Sequence, residues 1–136
     1  MIKDVVKGEE FFKVAENATK EDLAIAFDLA DTLRDNLDRC VGMAANMIGI
    51  YKRIIAVCDN DRILIMLNPI IKEKSRKTYE ATEGCLSLDG ERKIIRHQTI
   101  VVEYRDEKFK KCCQTFKGFT AQIIQHEIDH CDGIII

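Results

Sequence analysis

The sequence predicts an α+β domain in which antiparallel β-sheets pack around a C-terminal helix carrying an HExxH motif, with an amphipathic helix nearer the N-terminus. Three observations carry that expectation. Apolar residues fall at helical spacing between Thr19 and Arg39, short β-rich runs fill Arg53 to Phe116, and helical spacing returns from Phe119 to His130. At 136 residues the chain has room for one ordinary core without disulfide staples, and a single domain spanning residues 1–136 is expected. A hydrophobic fraction of 46%, a charged fraction of 32% and only 1 Pro exclude disorder as the main state. The formal net charge of -2 supplies no basic surplus for a run of phosphates, so no specific nucleic-acid partner is expected. No apolar run approaches the roughly 20 residues a spanning helix needs, and Met1 to Glu10 has no basic cap leading into an apolar stretch. A cytoplasmic protein without a membrane partner is expected, with its cysteines reduced and at least one available to a metal.

Within the first helix, Leu23, Ala26, Phe27, Ala30, Leu33 and Leu37 form the apolar face, with Thr19 as N-cap and Asp22 completing a capping box. The small-residue segment Gly42 to Gly49 follows. Arg53 to Cys58 and Ile63 to Leu67, separated by Asp59-Asn60-Asp61, read as a β-hairpin. Pro69 with Ile70 and Ile71 marks the end or start of an edge segment, and Lys72 to Lys77 reads as a solvated charged stretch. Ile94-Ile95, Thr99 to Tyr104 and Lys110 to Phe116 give a second group of strands, the last two a hairpin. Phe119, Ile123, Ile124 and Ile128 restore the helical pattern, Asp132-Gly133 stops it, and Ile134 to Ile136 is read as an apolar tail that packs down.

Gln125-His126-Glu127-Ile128-Asp129-His130 places HExxH on that last helix. Four residues advance a helix by about 400° and about 6 Å, so His126 and His130 share one face and can reach one divalent ion, with Glu127 placed to address a water there. A catalytic site needs a third protein ligand, and the candidates are the cysteines, His97 and the carboxylates. Cys131 points about 100° away from the ligand face, and of Cys112 and Cys113 at most one can face the helix. Cys85, in Glu83-Gly84-Cys85-Leu86-Ser87, is favoured slightly because Gly84 lets backbone come close. His97 reads as a hydrogen-bonded histidine, and Asp129 as a partner for Arg96.

Taken in order, Gly42-Met-Ala-Ala-Asn-Met-Ile-Gly49, Glu83-Gly-Cys-Leu-Ser87 and Gln125-His-Glu-Ile-Asp-His130 resemble the three signature motifs of peptide deformylases. The resemblance runs from about the first helix to Gly133. It implies antiparallel sheets around a central metal-binding helix and metal-dependent removal of the formyl group from N-formyl-methionyl peptides of nascent proteins. By position it implies that Cys85, His126 and His130 hold one divalent ion per chain. Fe(II) is the native ion by the same resemblance, and zinc, nickel or cobalt are ions that purified protein can carry. It makes Glu127 the general acid/base and the Leu86 N–H an oxyanion donor. It assigns Gly42, Met43, Met47, Glu83 and Gly84 to substrate binding, with Arg92 resembling an arginine near the peptide cleft. The implied partners are formyl-methionyl peptides or nascent chains, with ribosome association.

The first motif departs from the family pattern GxGLAAxQxG, since Cys40 stands at the first glycine and Met47 at the glutamine that donates to the formyl oxygen. A thioether cannot donate, and loss of one oxyanion donor costs on the order of 10²- to 10³-fold in turnover. Asn46 could donate, but in an extended segment its side chain would face away from that of Met47. Met43 and Met47 also suit the lining of a pocket for a methionine side chain. Three readings follow: a deformylase with weakened activity; a catalytically impaired metal- and peptide-binding protein, or a hydrolase of another N-acyl substrate; and, less in keeping with Glu127, a structural metal site. Glu9 to Lys13 does not reproduce the family's Pro-x-Leu-Arg-like segment, so the N-terminal edge of the cleft is expected to differ.

Overall fold

A computed structural model describes residues 1–136. The β-rich part of the chain makes a five-stranded antiparallel sheet in the order β1-β2-β3-β6-β7 and a separate hairpin, β4-β5. The strands are β1 (Gly42–Ala44), β2 (Ile54–Asp59), β3 (Arg62–Lys74), β4 (Thr78–Gly84), β5 (Glu91–His97), β6 (Thr99–Arg105) and β7 (Lys111–Lys117). The helices are α1 (Leu23–Asp35) and α2 (Gly118–Cys131). No helix is long and apolar enough to cross a membrane.

Strand β2 explains why the middle of the sheet is apolar on both sides. Ile54 and Ala56 join a cluster with Leu29 and Leu33 of α1, whereas Ile55 and Val57 join a cluster with Ile124 and Ile128 of α2. Alternate residues of a strand face opposite ways, so the two helices cover opposite faces and a continuous Ile-Ile-Ala-Val run is required. The register keeps this partition across the sheet, with Ile54 opposite Leu67 and Ile55 opposite Met66.

Helix α1 is shorter than its apolar pattern suggests. Lys20–Asp22 forms a 3-10 turn at its start, where the Thr19 N–H donates to the Asp22 carboxylate at 2.8 Å. The helix stops at Asp35 because Asn36 turns its side-chain amide back onto the Thr32 carbonyl at 2.7 Å. Leu37 therefore lies beyond the helix, and Phe27, assigned above to the buried face, is exposed; Leu29 takes its place in the core.

Two further corrections concern strands. Pro69 is not at a strand end: β3 continues through it to Lys74, with irregular register between Leu67 and Ile70. Asn68, at φ 54, makes the bulge that accommodates a residue without an N–H, and its side chain bonds Ala18 N–H at 2.7 Å and C=O at 2.9 Å. The start of the charged stretch is therefore strand, with Glu73 opposite Val101. Strand β4 was not expected at all, because Tyr79, Ala81 and Glu83 alternate with residues too polar to give a hydrophobic signal. The tail forms no strand; Ile136 is buried, but Ile134 and Ile135 are exposed, so the apolar tail packs down only at its last residue.

Leu29 is fully buried between α1 and the sheet. Leu29→Ala should lower the unfolding free energy by about 2–5 kcal/mol in a denaturant titration.

Candidate metal centre and cleft

Helix α2 turns an unusually polar face inward: Gln125, His126, Glu127 and His130 are all buried. Ligand-capable atoms of His126, Glu127 and His130 lie within 4.8 Å of one another. His126 Nδ1 is 2.7 Å from Glu83 Oε1; a carboxylate only accepts, so Nδ1 carries the proton and Nε2 is left free for a ligand. His130 Nδ1 is 2.8 Å from Glu127 Oε1 and its Nε2 is 3.1 Å from the Ile136 main-chain oxygen, so both ring nitrogens face oxygen acceptors.

Cys85 sits beside this group in the turn after β4, half-buried. Burial pushes its thiol up, but hydrogen bonding to His126 and His130 outweighs that and holds it at about 7. Burial lowers both imidazoles as well, yet the thiol and carboxylate partners raise His126 to about 9 and His130 to about 10. Two buried imidazoles and a carboxylate gathered within 4.8 Å, with the Cys85 thiol lining the same cavity, are donors suited to a transition metal, and the residues present fit such an ion.

Glu83 is what holds His126, and Arg96 is what holds Glu83. On the β4-β5 hairpin Tyr79 pairs with Arg96 and Glu83 with Arg92, so Tyr79, Glu83 and Arg96 share the face turned toward α2. Arg96 is 4% exposed; its Nη2 donates to Glu83 Oε1 at 2.6 Å, its Nε to Oε2 at 2.9 Å, and its Nη1 to Asp129 at 2.6 Å. The Arg96–Asp129 pair matches the sequence expectation; the hub role of Glu83 was missed, since only the fold brings residues 83, 96 and 126 together. His97 Nδ1 bonds the Ser75 carbonyl at 2.8 Å, away from the centre.

The centre opens on a cavity of about 440 Å³, within the range of small-molecule sites. Gly42, Met47, Glu83, Gly84, Cys85, Leu86, His126 and Glu127 all line it. Met43 and Arg92 do not: Met43 is buried in the α1-side cluster, and Arg92 Nη2 donates to the Asp89 carbonyl at 3.2 Å. Leu86 N–H makes no hydrogen bond within the protein, while the Leu86 carbonyl accepts from Lys7 Nζ. The opposite wall comes from Phe119, Gln122 and Ile123 of α2 and from Cys40, whose thiol burial and the nearby Glu127 push up to about 12. Gln122 was legible in principle, lying one helical turn before His126 on the same face.

Two local readings are corrected. Residues Ala45–Ile48 form a 3-10 turn rather than an extended segment, and the Asn46 amide donates to the His130 carbonyl at 2.8 Å, which takes it away from the cleft. Met47 is 2% exposed, packed in the α1-side cluster. Phe119, expected in the buried stripe, is 62% exposed at the cavity wall.

An HExxH helix with both imidazoles beside a buried glutamate, open to a cleft, defines a metal-dependent hydrolase. The polypeptide deformylase family model matches residues 6–136. A peptide deformylase of Clostridium beijerinckii is 54% identical over 137 residues, covering the whole of both chains, and one of Fusobacterium nucleatum is 39% identical over 97 residues, 70% of this chain and 56% of its own. The peptide deformylase structure from Thermotoga maritima superposes with a TM-score of 0.90 at 27% identity, covering 99% of this chain and 95% of that one. A Met-Ala-Ser-bound class I type b peptide deformylase from Acinetobacter baumannii gives 0.87 at 27% identity, covering 99% and 96%. The chain belongs to the peptide deformylase family. It is a metallohydrolase that removes the N-formyl group.

Two predictions follow from the packing around Glu127 and Glu83. A Cβ at Gly42 would lie 2.5 Å from Ile123 Cγ2 and 3.0 Å from Glu127 Oε2, so Gly42→Ala must displace one or both. Turnover should fall by at least about 10-fold while metal content, measured by elemental analysis, is unchanged. For Glu83, burial alone would raise the carboxyl, but the His126 and Arg96 hydrogen bonds hold it at about 2, below its ordinary 4.5. Its stabilisation is complete above pH 4.5 and lost as pH falls toward 2. Arg96→Met should cost about 3–5 kcal/mol at neutral pH and move the acid-unfolding midpoint, followed by circular dichroism, upward.

Proposed function

We propose that the protein deformylates N-formyl-methionyl peptides of nascent proteins in the cytoplasm, with Cys85, His126 and His130 holding one Fe(II) ion. The observation that carries this reading is the cluster of His126, Glu127 and His130, with ligand-capable atoms within 4.8 Å of one another, beside a cavity that Cys85, Leu86, His126 and Glu127 line. The ion, when bound, polarises the formyl carbonyl and lowers the pKa of water. Glu127, buried and within reach of the same point, accepts the proton of the attacking water and returns it to the leaving amine. The unbonded Leu86 N–H stabilises the negative charge that builds on the formyl oxygen. Gly42 and Gly84 keep the cleft walls low enough for a peptide backbone to approach. Met43 supports this wall from behind, and Arg92 braces the turn after Ser87 through Asp89.

Met47 offers no donor where the family motif has glutamine, and Asn46 is committed to His130, so the oxyanion is served by fewer donors and turnover is reduced. Anaerobic protein loaded with Fe(II) should release formate from formyl-Met-Ala-Ser slowly, and Met47→Gln should raise kcat by 10-fold or more, near the lower edge of a donor's worth. Glu127→Ala should abolish release with the metal retained. Full activity in Glu127→Ala would overturn the assignment of the base, and no formate from either wild type or Met47→Gln, with metal bound, would favour a peptide-binding role or another N-acyl substrate.

A further inference from the structure

The segment 5–8 crosses between two turns that flank the cavity without lining it. The Val6 N–H donates to the Met47 carbonyl at 2.9 Å and the Gly8 N–H to the Ser87 carbonyl at 2.9 Å, so this strap ties the Ala45–Ile48 turn to the turn that carries Cys85. Between those bonds Lys7 reaches the Leu86 carbonyl with Nζ. Gly8, at φ 111, lets the chain bend away directly after Lys7. The Leu86 carbonyl and the Ser87 N–H belong to one planar peptide unit, and that N–H is directed at Cys85 Sγ, 3.4 Å away. An ammonium at the oxygen end of an amide makes its nitrogen end a stronger donor.

We infer that Lys7 is a positioning residue for the metal centre: by gripping the peptide between Leu86 and Ser87 it strengthens the Ser87 N–H bond to Cys85 Sγ and holds that sulfur in place. The inference rests on the proposed function, in which Cys85 holds the ion. Outer partners of a ligand fix its direction and tune how much electron density it gives a metal. Lys7 is exposed, and the main-chain bonds of Val6 and Gly8 fasten the strap without it. Its side chain is therefore separable from the packing of the segment, and the contact it adds falls on the one peptide unit that faces the sulfur.

Lys7→Met keeps an unbranched side chain and the main-chain bonds of the strap but removes the ammonium, whereas Lys7→Arg restores a cationic donor. Protein loaded with Co(II) gives the readout, because sulfur bound to cobalt absorbs in the near ultraviolet by charge transfer, at an energy set by how firmly the sulfur lone pair is held. In Lys7→Met this band should move to longer wavelength. Its Co(II) affinity, measured by competition with a chelator, should fall about 10-fold, the lower edge of what an outer partner of a ligand is worth. Lys7→Arg should keep band and affinity near those of wild type. An unmoved band or an unchanged affinity in Lys7→Met, or changes as large in Lys7→Arg, overturns the role of Lys7. A wild type that binds Co(II) without any such band overturns the Cys85 ligand assignment itself, so the two failures are told apart.

Discussion

The inward polar face of α2 is the constraint around which the rest is arranged. A helix that buries histidine and glutamate side chains cannot pack against a wholly apolar surface, because unpaired buried charge costs several kcal/mol. Arg96 resolves this by joining Glu83 and Asp129, and Glu83 passes the restraint to His126. The β4-β5 hairpin follows from the same need, since it delivers Glu83 and Arg96 from adjacent strands on one face. Fixing the His126 tautomer and ring orientation is then a consequence of how charge was buried.

The opposite side of α2 is ordinary. Ile124, Ile128 and Cys131 pack into the sheet with Ile55, Val57 and Ile100, and this apolar contact anchors the helix that carries the centre. Between anchor and network, close approach is set by Gly42, where no side chain fits against Ile123 and Glu127. The cleft is therefore bounded by a rigid helix, a charge-locked hairpin and a short strand whose glycine leaves the glutamate in place. Met47 shows the cost of that economy: packed against the α1-side core, it brings only a thioether to the cavity lining, so that position contributes packing to the cleft and no hydrogen-bond donor.

Much of this was readable along the chain. Periodicity located both helices and the β2-β3 and β6-β7 hairpins, and HExxH placed two imidazoles and Glu127 on one face. The misreadings share a cause. Strand β4 is built from polar residues whose burial depends on partners elsewhere, the Ala45–Ile48 turn has no signature distinct from an extended run, and Phe119 is apolar yet left at a cavity wall.

Sequence alone determined what recurs at short range: the helix and strand periods, the cap at Thr19, and the His126 and His130 spacing, all set by backbone geometry within a few residues. Tertiary structure alone decided that Cys85 shares a cavity with His126 and Glu127, that Glu83 serves Arg96 and His126, and that Asn46 turns to His130. Those pairings join residues tens of positions apart, and hydrogen bonds and ion pairs act only over a few ångströms. Nothing in the local order of the chain specifies them until the sheet and its two helices have closed.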